Sequence, residues 1–236
     1  MVNYSDIIGL IESQKNSKTI ESIASFGINV TNAYGIPIPF LRSIAGQIGK
    51  GNGENNHLLV QQLWNSGIHE LRILSSMIED PDRITESQMD EWVGEFNSWD
   101  ICDQCCGNLF SKSKYAFKKA MEWSGRKEEF VKRAGFVLMA TVSIHDKNTG
   151  DTEFIKFLSI IKNNSTDNRN FVKKAVNWAL RQIGKRNCML NKKAIETANE
   201  ILQINSRHAK WIASNAIKEL TSPATQNRVN NIKKRI

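Results

Sequence analysis

The sequence has few of the residues that interrupt helices or cross-link a chain. Of its 236 residues, four are prolines and fourteen are glycines, fewer than a collagen-like chain, a low-complexity chain or a sheet protein with many tight turns carries. Its four cysteines, three of them close together, fit a reducing compartment better than a disulfide framework. The 40% apolar residues are enough for a core and exclude disorder for most of the chain.

Long apolar runs and export signals are also missing. The longest nearly apolar run, Gly135–Ile144, has about half of the roughly 20 residues that a membrane helix needs, so we interpret it as a buried helix. Residues Met1–Asp6 show no basic stretch followed by an apolar one, which is the pattern of a secretory signal. We therefore expect a cytoplasmic protein without a membrane partner.

The signatures of the common enzyme classes are absent as well. There is no P-loop, no dinucleotide-binding glycine fingerprint, no His-Glu-x-x-His and no nucleophile elbow. The four histidines are scattered, and Cys102, Cys105 and Cys106 have only Cys188 as a further thiol, so no zinc-ligand set is recognisable. We expect no metal and no cofactor, and interpret the three clustered thiols as small core residues.

Charge is distributed very unevenly along the chain. Residues 1–110 carry 6 basic and 14 acidic side chains, whereas residues 111–236 carry 26 basic and 10 acidic ones. The second half is therefore strongly cationic, and such an asymmetry indicates a region that meets a polyanion, most simply nucleic acid or an anionic membrane surface. A solvated, lysine-rich helical surface is the alternative that composition leaves open.

Apolar residues recur with helical spacing along almost the whole chain, and no alternating strand of useful length is found. Thr85-Glu86-Ser87-Gln88 is typical of a capping box that begins a helix. Asp151 is predicted to be the N-cap of another helix. The pattern predicts about thirteen or fourteen helices with short connections.

The second half of the sequence also resembles itself. Phe130–Ala134 aligns with Phe171–Ala175 at an offset of 41, and a third copy containing Ala209 follows at an offset of 37. A period of about 40 residues is typical of stacked helix pairs, as in HEAT and armadillo repeats. We predict an all-α fold, a curved right-handed α-α superhelix (solenoid) of HEAT-like helical repeats forming a single domain over 1–236; an irregular helical bundle is the alternative.

Two short segments contain residues suited to chemistry on a polyanion. On a helix, Trp99 and Asp103 share a face, because they are four residues apart, as do Trp178 and Arg181 at a spacing of three. Asp100 and Asp103 also allow a paired-carboxylate interpretation, although acidic residues near a helix N-terminus are ordinarily caps. Arg133 lies on a helix of strong apolar periodicity, where a lone arginine either extends outward or holds an anion.

At these residues the sequence resembles the bacterial DNA alkylation repair proteins of the AlkD type, which are DNA glycosylases built from HEAT-like repeats. The resemblance runs over nearly the whole chain and includes the segments Tyr34-Gly35-Ile36, Leu41-Arg42 and His69-Glu70-Leu71-Arg72. The family's Trp-Asp-x-x-Asp motif stands here at Trp99–Asp103, its Arg-Ala helix at Arg133-Ala134, and its Trp-x-x-Arg at Trp178–Arg181.

The resemblance implies a monofunctional glycosylase that excises positively charged N3- or N7-alkylated purines from duplex DNA, without a base-binding pocket. An alkylated purine leaves without protonation, so the protein has to stabilise the oxocarbenium-like sugar and place a water, which an ionised carboxylate can do. The catalytic residues would be Asp103, Trp99 and Trp178. The DNA-binding residues would be Arg133, Arg181, Lys132, Lys173, Lys174, Lys185 and Arg186. The implied partner is double-stranded DNA containing alkylated bases, bound by a monomer that is associated with the nucleoid.

The loop into the third helix reads Pro37-Ile38-Pro39, where active relatives tend to present polar residues to the lesion. Because some relatives of this fold bind DNA without excising bases, a non-catalytic protein that binds DNA structures is the second hypothesis. A HEAT-repeat scaffold whose acidic first half meets a basic partner is the third.

Overall fold

The structure is a computed structural model that describes residues 3–49 and 54–233. Within these residues there are fourteen α-helices and no strand, so the expected number of helices is confirmed. The chain divides into two compact units, residues 1–114 and 115–236. The prediction of one domain over 1–236 stays a prediction.

Seven α-helices and one short 3₁₀ helix make up the first unit. They are α1 (Tyr4–Ser13), α2 (Ser17–Ser25), α3 (Ile38–Ile48), α4 (Glu54–Asn65), α5 (His69–Ile78), α6 (Glu86–Gly94), α7 (Trp99–Asn108) and the 3₁₀ helix Phe110–Lys112.

Helix α5 is the centre of the first unit and packs against α3, α4 and α7. Nine of its ten residues are buried. Its serines are accommodated because they bond to their own helix: the hydroxyl of Ser75 donates to the carbonyl of Leu71 at 2.8 Å, and that of Ser76 to Ile73 at 2.7 Å. A buried central helix fixes the positions of the helices on both sides.

The second unit also contains seven helices. They are α8 (Ala116–Ser124), α9 (Glu129–His145), α10 (Asp151–Asn163), α11 (Asn170–Gly184), α12 (Cys188–Leu202), α13 (Arg207–Leu220) and α14 (Pro223–Lys233).

Two layers of helices run through the second unit. Helices α9, α11 and α13 pack side by side, and α8, α10 and α12 form a second series of neighbours. The internal repeat has its physical basis here, because the aligned segments lie at equivalent places on α9, α11 and α13. The rings of Phe130 and Phe171, which the offset of 41 pairs, lie 5.6 Å apart between centroids. The run Gly135–Ile144 lies inside α9, where Val131 and residues 133–143 are buried, as predicted.

The cap predictions have different outcomes. Thr85 is the N-cap of α6, and its side chain accepts from the backbone N–H of Gln88 at 3.1 Å, which is the first half of the expected capping box, while Nε2 of the Gln88 side chain donates to Glu79 at 3.1 Å. The prediction for Asp151 is wrong by one residue, because Gly150 is the N-cap of α10. The Asp151 carboxylate instead accepts from Nδ2 of Asn187 at 2.9 Å, which links the beginnings of α10 and α12.

Candidate functional site

The Trp-Asp-x-x-Asp segment forms the first turns of α7 and lines a cleft of about 250 Å³ in the first unit. Its lining is partly aliphatic and partly polar and aromatic. The aliphatic residues, which we call the aliphatic wall, are Ile23, Ile28, Ile36, Pro37, Ile38 and Ile73. The polar and aromatic residues are Thr19, His69, Glu70, Trp99, Asp100, Asp103 and Gln104. The structure therefore brings Trp99 and Asp103 to one cleft.

Asp100 has both carboxylate oxygens engaged within the protein. Oδ2 lies 2.7 Å from Nε2 of His69, and Oδ1 accepts from the hydroxyl of Ser98 at 2.6 Å. Burial raises the pKa of Asp100, but the hydrogen bonds and charge of His69 and the bond from Ser98 outweigh burial, so this pKa lies below its ordinary value. Asp100 thus remains an anion that anchors the start of α7 on the buried His69, which is only 6% exposed.

Asp103 lies one helical turn beyond Trp99 and is half-buried at the cleft wall. Trp99 is also half-buried, and its Nε1 donates to the backbone carbonyl of Phe26 at 3.0 Å. This hydrogen bond fixes one edge of the indole, so that the ring orientation is set by the turn after α2. An aromatic ring and a carboxylate on successive turns of one helix are therefore held at the same cavity.

The aliphatic wall is held in place by Glu70, a residue quoted from the sequence only for its part in the family resemblance. Glu70 is 2% exposed, and its carboxylate accepts from the backbone N–H groups of Tyr34 at 3.0 Å, Gly35 at 2.6 Å and Ile36 at 3.1 Å. A carboxylate that accepts several buried N–H groups is a strong local clamp. These hydrogen bonds hold the loop at residues 34–36, just before α3, in place beside the cleft.

The loop at residues 34–36 requires a glycine at position 35. Its φ of +76° lies in the left-handed region, and a Cβ there would lie 2.3 Å from the backbone oxygen of Asn16. The segment Tyr34-Gly35-Ile36 is therefore matched to Glu70 on one side and to Asn16, whose N–H donates to the Tyr34 carbonyl at 2.9 Å, on the other. The only sign of this pairing in the sequence was the segment His69-Glu70-Leu71-Arg72 of the family resemblance.

Trp178 and Arg181 lie together on α11 of the second unit. Trp178 is half-buried, and with the Gln182 amide oriented to satisfy its neighbours, Nε1 of Trp178 donates to the amide oxygen at 3.0 Å. Arg181 forms an ion pair with Glu219, which also accepts from Nζ of Lys185 at 2.6 Å. Burial raises the pKa of Glu219, but Lys185 and Arg181 outweigh burial and keep this pKa below its usual value.

Three of the predicted DNA-binding cations contact other parts of the second unit. Arg133 is 6% exposed, and its Nη1 donates to the carbonyl of Phe171 at 2.6 Å. Lys132 forms an ion pair with Asp167 at 3.2 Å. Arg186 donates to the carbonyls at the end of α9, including that of Ser143 at 3.3 Å. These side chains tie neighbouring repeats together, and their role toward DNA stays a prediction.

Of the remaining predicted cations, Lys174 is more accessible than these three. Lys174 is exposed on α11, and Lys173 is half-exposed, with Nζ 4.8 Å from the centroid of the Trp211 ring. Each unit therefore assembles its own part of the predicted site. That the indoles of Trp99 and Trp178 converge on one sugar stays a prediction.

The two helical layers of the second unit differ sharply in charge. Helices α9, α11 and α13 together carry eight lysines and arginines and two acidic residues, Glu129 and Glu219. Helices α8, α10 and α12 carry six lysines and five acidic residues. Cations concentrated on one layer produce a surface potential that attracts a polyanion to that layer. Most of the excess positive charge on the helices of the second unit therefore belongs to the layer of α9, α11 and α13.

The clustered cysteines belong to the core of the first unit. Cys102, Cys105 and Cys106 are thiols in no disulfide and are fully buried. Burial raises the pKa of Cys105 and Cys106 well above the ordinary thiol value, which keeps both neutral.

Among residues 3–49 and 54–233, no group of three or more histidine, cysteine or acidic side chains is arranged to hold a metal ion. In the same part of the chain, no helix combines the length and apolar character required to cross a bilayer.

The stacked helix pairs define a protein of the HEAT-like repeat class. The model of the DNA alkylation repair enzyme family matches residues 7–220, and the chain belongs to this family. The predicted all-α, HEAT-like fold and the family resemblance are confirmed.

A solved structure supports the same fold. The chain is similar to a protein from a family related to the HEAT-like repeat DNA glycosylases, with affinity for branched DNA structures, at a TM-score of 0.79 and 18% identity over 97% of this chain and 96% of that chain. A designed armadillo repeat protein in complex with a (KR)4 peptide is 17% identical over 95% of this chain and 87% of that chain, at a TM-score of only 0.33. No curated protein matches the sequence.

Proposed function

We propose that the protein is a DNA glycosylase that hydrolyses the N-glycosidic bond of N3- or N7-alkylated purines in duplex DNA. The observation that carries the proposal is that Trp99 and Asp103 share one cleft on successive turns of α7. Membership of the DNA alkylation repair family supports the same class of substrate.

Asp103 has the role of stabilising positive charge on the sugar. A cationic alkylated purine leaves as a neutral base, so positive charge moves onto the deoxyribose as the bond stretches. A fixed carboxylate stabilises that charge and orients the attacking water.

Trp99 supplies an electron-rich face to the same developing charge. Cations are attracted to the face of an indole with an energy of about 0.5–2 kcal/mol, which rises when water is excluded. The hydrogen bond from its Nε1 to Phe26 keeps the ring in place before DNA arrives. In the second unit, Trp178 would provide a second indole, and the cationic helices α11 and α13 would bind the phosphates.

The decisive experiment compares Asp103→Asn with the wild type for release of methylated purines from methylated duplex DNA. We expect the variant to release bases about a hundredfold more slowly, because one preorganised electrostatic group is removed. Binding to the same DNA should be unchanged or slightly tighter, because the substitution removes a negative charge.

Asp82→Asn is the matched control, since Asp82 is exposed in the same unit and lies outside the cleft. Its rate of base release should equal that of the wild type. Parallel losses of binding and base release in Asp103→Asn would contradict the role of Asp103 in the transition state.

A non-catalytic protein that binds DNA structures is the second candidate. The observation in its favour is that Ile36, Pro37 and Ile38 present an aliphatic wall to the cleft. The structurally similar protein from the glycosylase-related family has affinity for branched DNA. Tight, salt-sensitive binding of branched DNA without release of any alkylated base would favour this candidate over the glycosylase.

A further inference from the structure

Helix α13 exposes a large aromatic side chain on the cationic layer of the second unit. Trp211 is 39% exposed, although an indole of this size is normally well covered in a folded protein. Nζ of Lys173 on α11 lies 4.8 Å from the centroid of its ring, so the indole is held against the neighbouring helix by a cation–π contact.

The surroundings of Trp211 are cationic and free of acidic residues in the sequence. Arg207 lies four residues before Trp211 on α13, and Lys218 lies seven residues after it, so the three share a helix face. No acidic residue occurs between Arg207 and Lys218 or anywhere in α11. Glu219, at the end of α13, is paired with Arg181 and Lys185.

The internal repeat shows that the aromatic residue stands at a position where the preceding helix has a cation. At an offset of 37, Trp211 corresponds to the exposed Lys174 of α11, and Lys210 corresponds to Lys173. The third copy therefore keeps one cation of the pair and replaces the other with an indole. An aromatic ring beside a row of phosphate-binding cations is the arrangement that binds nucleobases by stacking.

We propose that Trp211 stacks on an unpaired nucleobase of DNA while Lys173, Lys210 and Arg207 bind the adjoining phosphates. The ligand is a DNA strand with a free base, such as a single-stranded tail. A base inside a duplex is covered on both faces by its neighbours, so a protruding indole meets a base face only where pairing is interrupted. The proposal rests on the DNA binding of the proposed function and adds a preference for unpaired bases.

The experiment measures binding by fluorescence anisotropy at one fixed salt concentration. The probes are a labelled oligo-dT strand, a blunt duplex, and the same duplex carrying an oligo-dT tail. The variants are Trp211→Ala, Trp211→Phe, and Met189→Ala as the control. Met189 is a similarly exposed apolar residue, at 41%, on the more neutral helix α12.

We expect Trp211→Ala to bind oligo-dT and the tailed duplex about tenfold more weakly, which corresponds to the loss of one stacked base. Its affinity for the blunt duplex should stay close to that of the wild type. Trp211→Phe should recover most of the affinity for oligo-dT, because it retains a ring on which a base can stack, and Met189→Ala should behave as the wild type.

Two results would overturn the proposal. One is unchanged affinity of Trp211→Ala for all three probes, and the other is an equal loss on the blunt duplex and on oligo-dT. Either result is distinguishable from failure of the proposed glycosylase, which is tested by base release from blunt methylated duplex with Asp103→Asn. Wild-type protein that binds none of the probes at low salt would contradict the DNA binding on which both proposals depend.

Discussion

The carboxylate of Glu70 offers the sharpest test of how the cleft is built. It is almost fully buried and accepts from three consecutive backbone N–H groups, those of Tyr34, Gly35 and Ile36. Hydrogen bonds to a charged group contribute about 1.5–3 kcal/mol each, although such contributions do not add when they share one acceptor. Glu70→Ala leaves all three donors without the carboxylate, and we expect the free energy of unfolding to fall by about 4 kcal/mol.

Glu70→Gln is a milder change, and its expected effect depends on the two carboxylate oxygens separately. Oε1 accepts from all three N–H groups, whereas Oε2 accepts only from Tyr34, at 3.0 Å. A glutamine can place its amide oxygen at the Oε1 position, but its NH₂ group then faces the N–H of Tyr34. The lost charge and one lost bond should lower the free energy of unfolding by about 2 kcal/mol.

Urea unfolding gives the stability, and hydrogen exchange of the peptide that contains residues 34–36 gives the local effect. Glu21→Gln is the matched control, since Glu21 is exposed on α2 of the same unit, and it should change the free energy of unfolding by less than about 0.5 kcal/mol. The interpretation of Glu70 as a clamp would be refuted if Glu70→Gln had the same urea midpoint of unfolding as the wild type and if the amides of residues 34–36 were still protected from exchange. If the clamp is real, base release should fall more than DNA binding, because Ile36 and Pro37 line the cleft.

Two further predictions concern the second unit, and a third concerns α1 of the first unit. Burial raises the pKa of Asp167, but hydrogen bonds from Arg169 and from Lys132 outweigh burial and lower the pKa to about 2. The ionised carboxylate therefore stabilises the folded protein at pH values above its unfolded-state pKa. This stabilisation is lost as the pH falls toward 2. Asp167→Asn should cost about 2 kcal/mol at pH 7 and only about half as much near pH 3 by urea unfolding, and a difference that stays constant with pH would contradict the linkage. Gly135→Ala should lower the free energy of unfolding by about 1–3 kcal/mol, because its Cβ would lie 2.4 Å from the backbone nitrogen of Ser124. Gly9→Ala, in an open helical position with nothing within 4 Å, should raise the free energy of unfolding by about 0.5–1 kcal/mol instead.

Local patterns were sufficient to predict much of the fold. Helical periodicity predicted the helices, and the copies beginning at Phe130 and Phe171 lie at equivalent places on α9 and α11, with their rings in contact. The error at Asp151 is of a different kind. Asp151 is a residue type that favours N-caps, but Gly150 already has the extended backbone of an N-cap. The Asp151 carboxylate is instead bound by Asn187 at the start of another helix.

The candidate site was only partly predictable. A spacing of four places Trp99 and Asp103 on one helix face, but it does not show what Asp100 contacts. That contact is with His69, thirty-one residues before Asp100 in the chain, whose ring nitrogen lies within hydrogen-bond distance of Asp100. Similarly, a list of lysines and arginines does not separate the exposed Lys174 from Arg133, which is buried against the carbonyl of Phe171.

The sequence by itself determined the all-α repeat architecture, the cationic second half and the residues that match the family motif. These features depend on helical spacing and on composition, both of which are local. Only the tertiary structure decided that Glu70 holds the loop at residues 34–36, that the cationic helices α9, α11 and α13 lie in one layer, and that Trp211 stands exposed beside Lys173. These contacts join residues that are distant in the chain, and their geometry is set by how the helices pack.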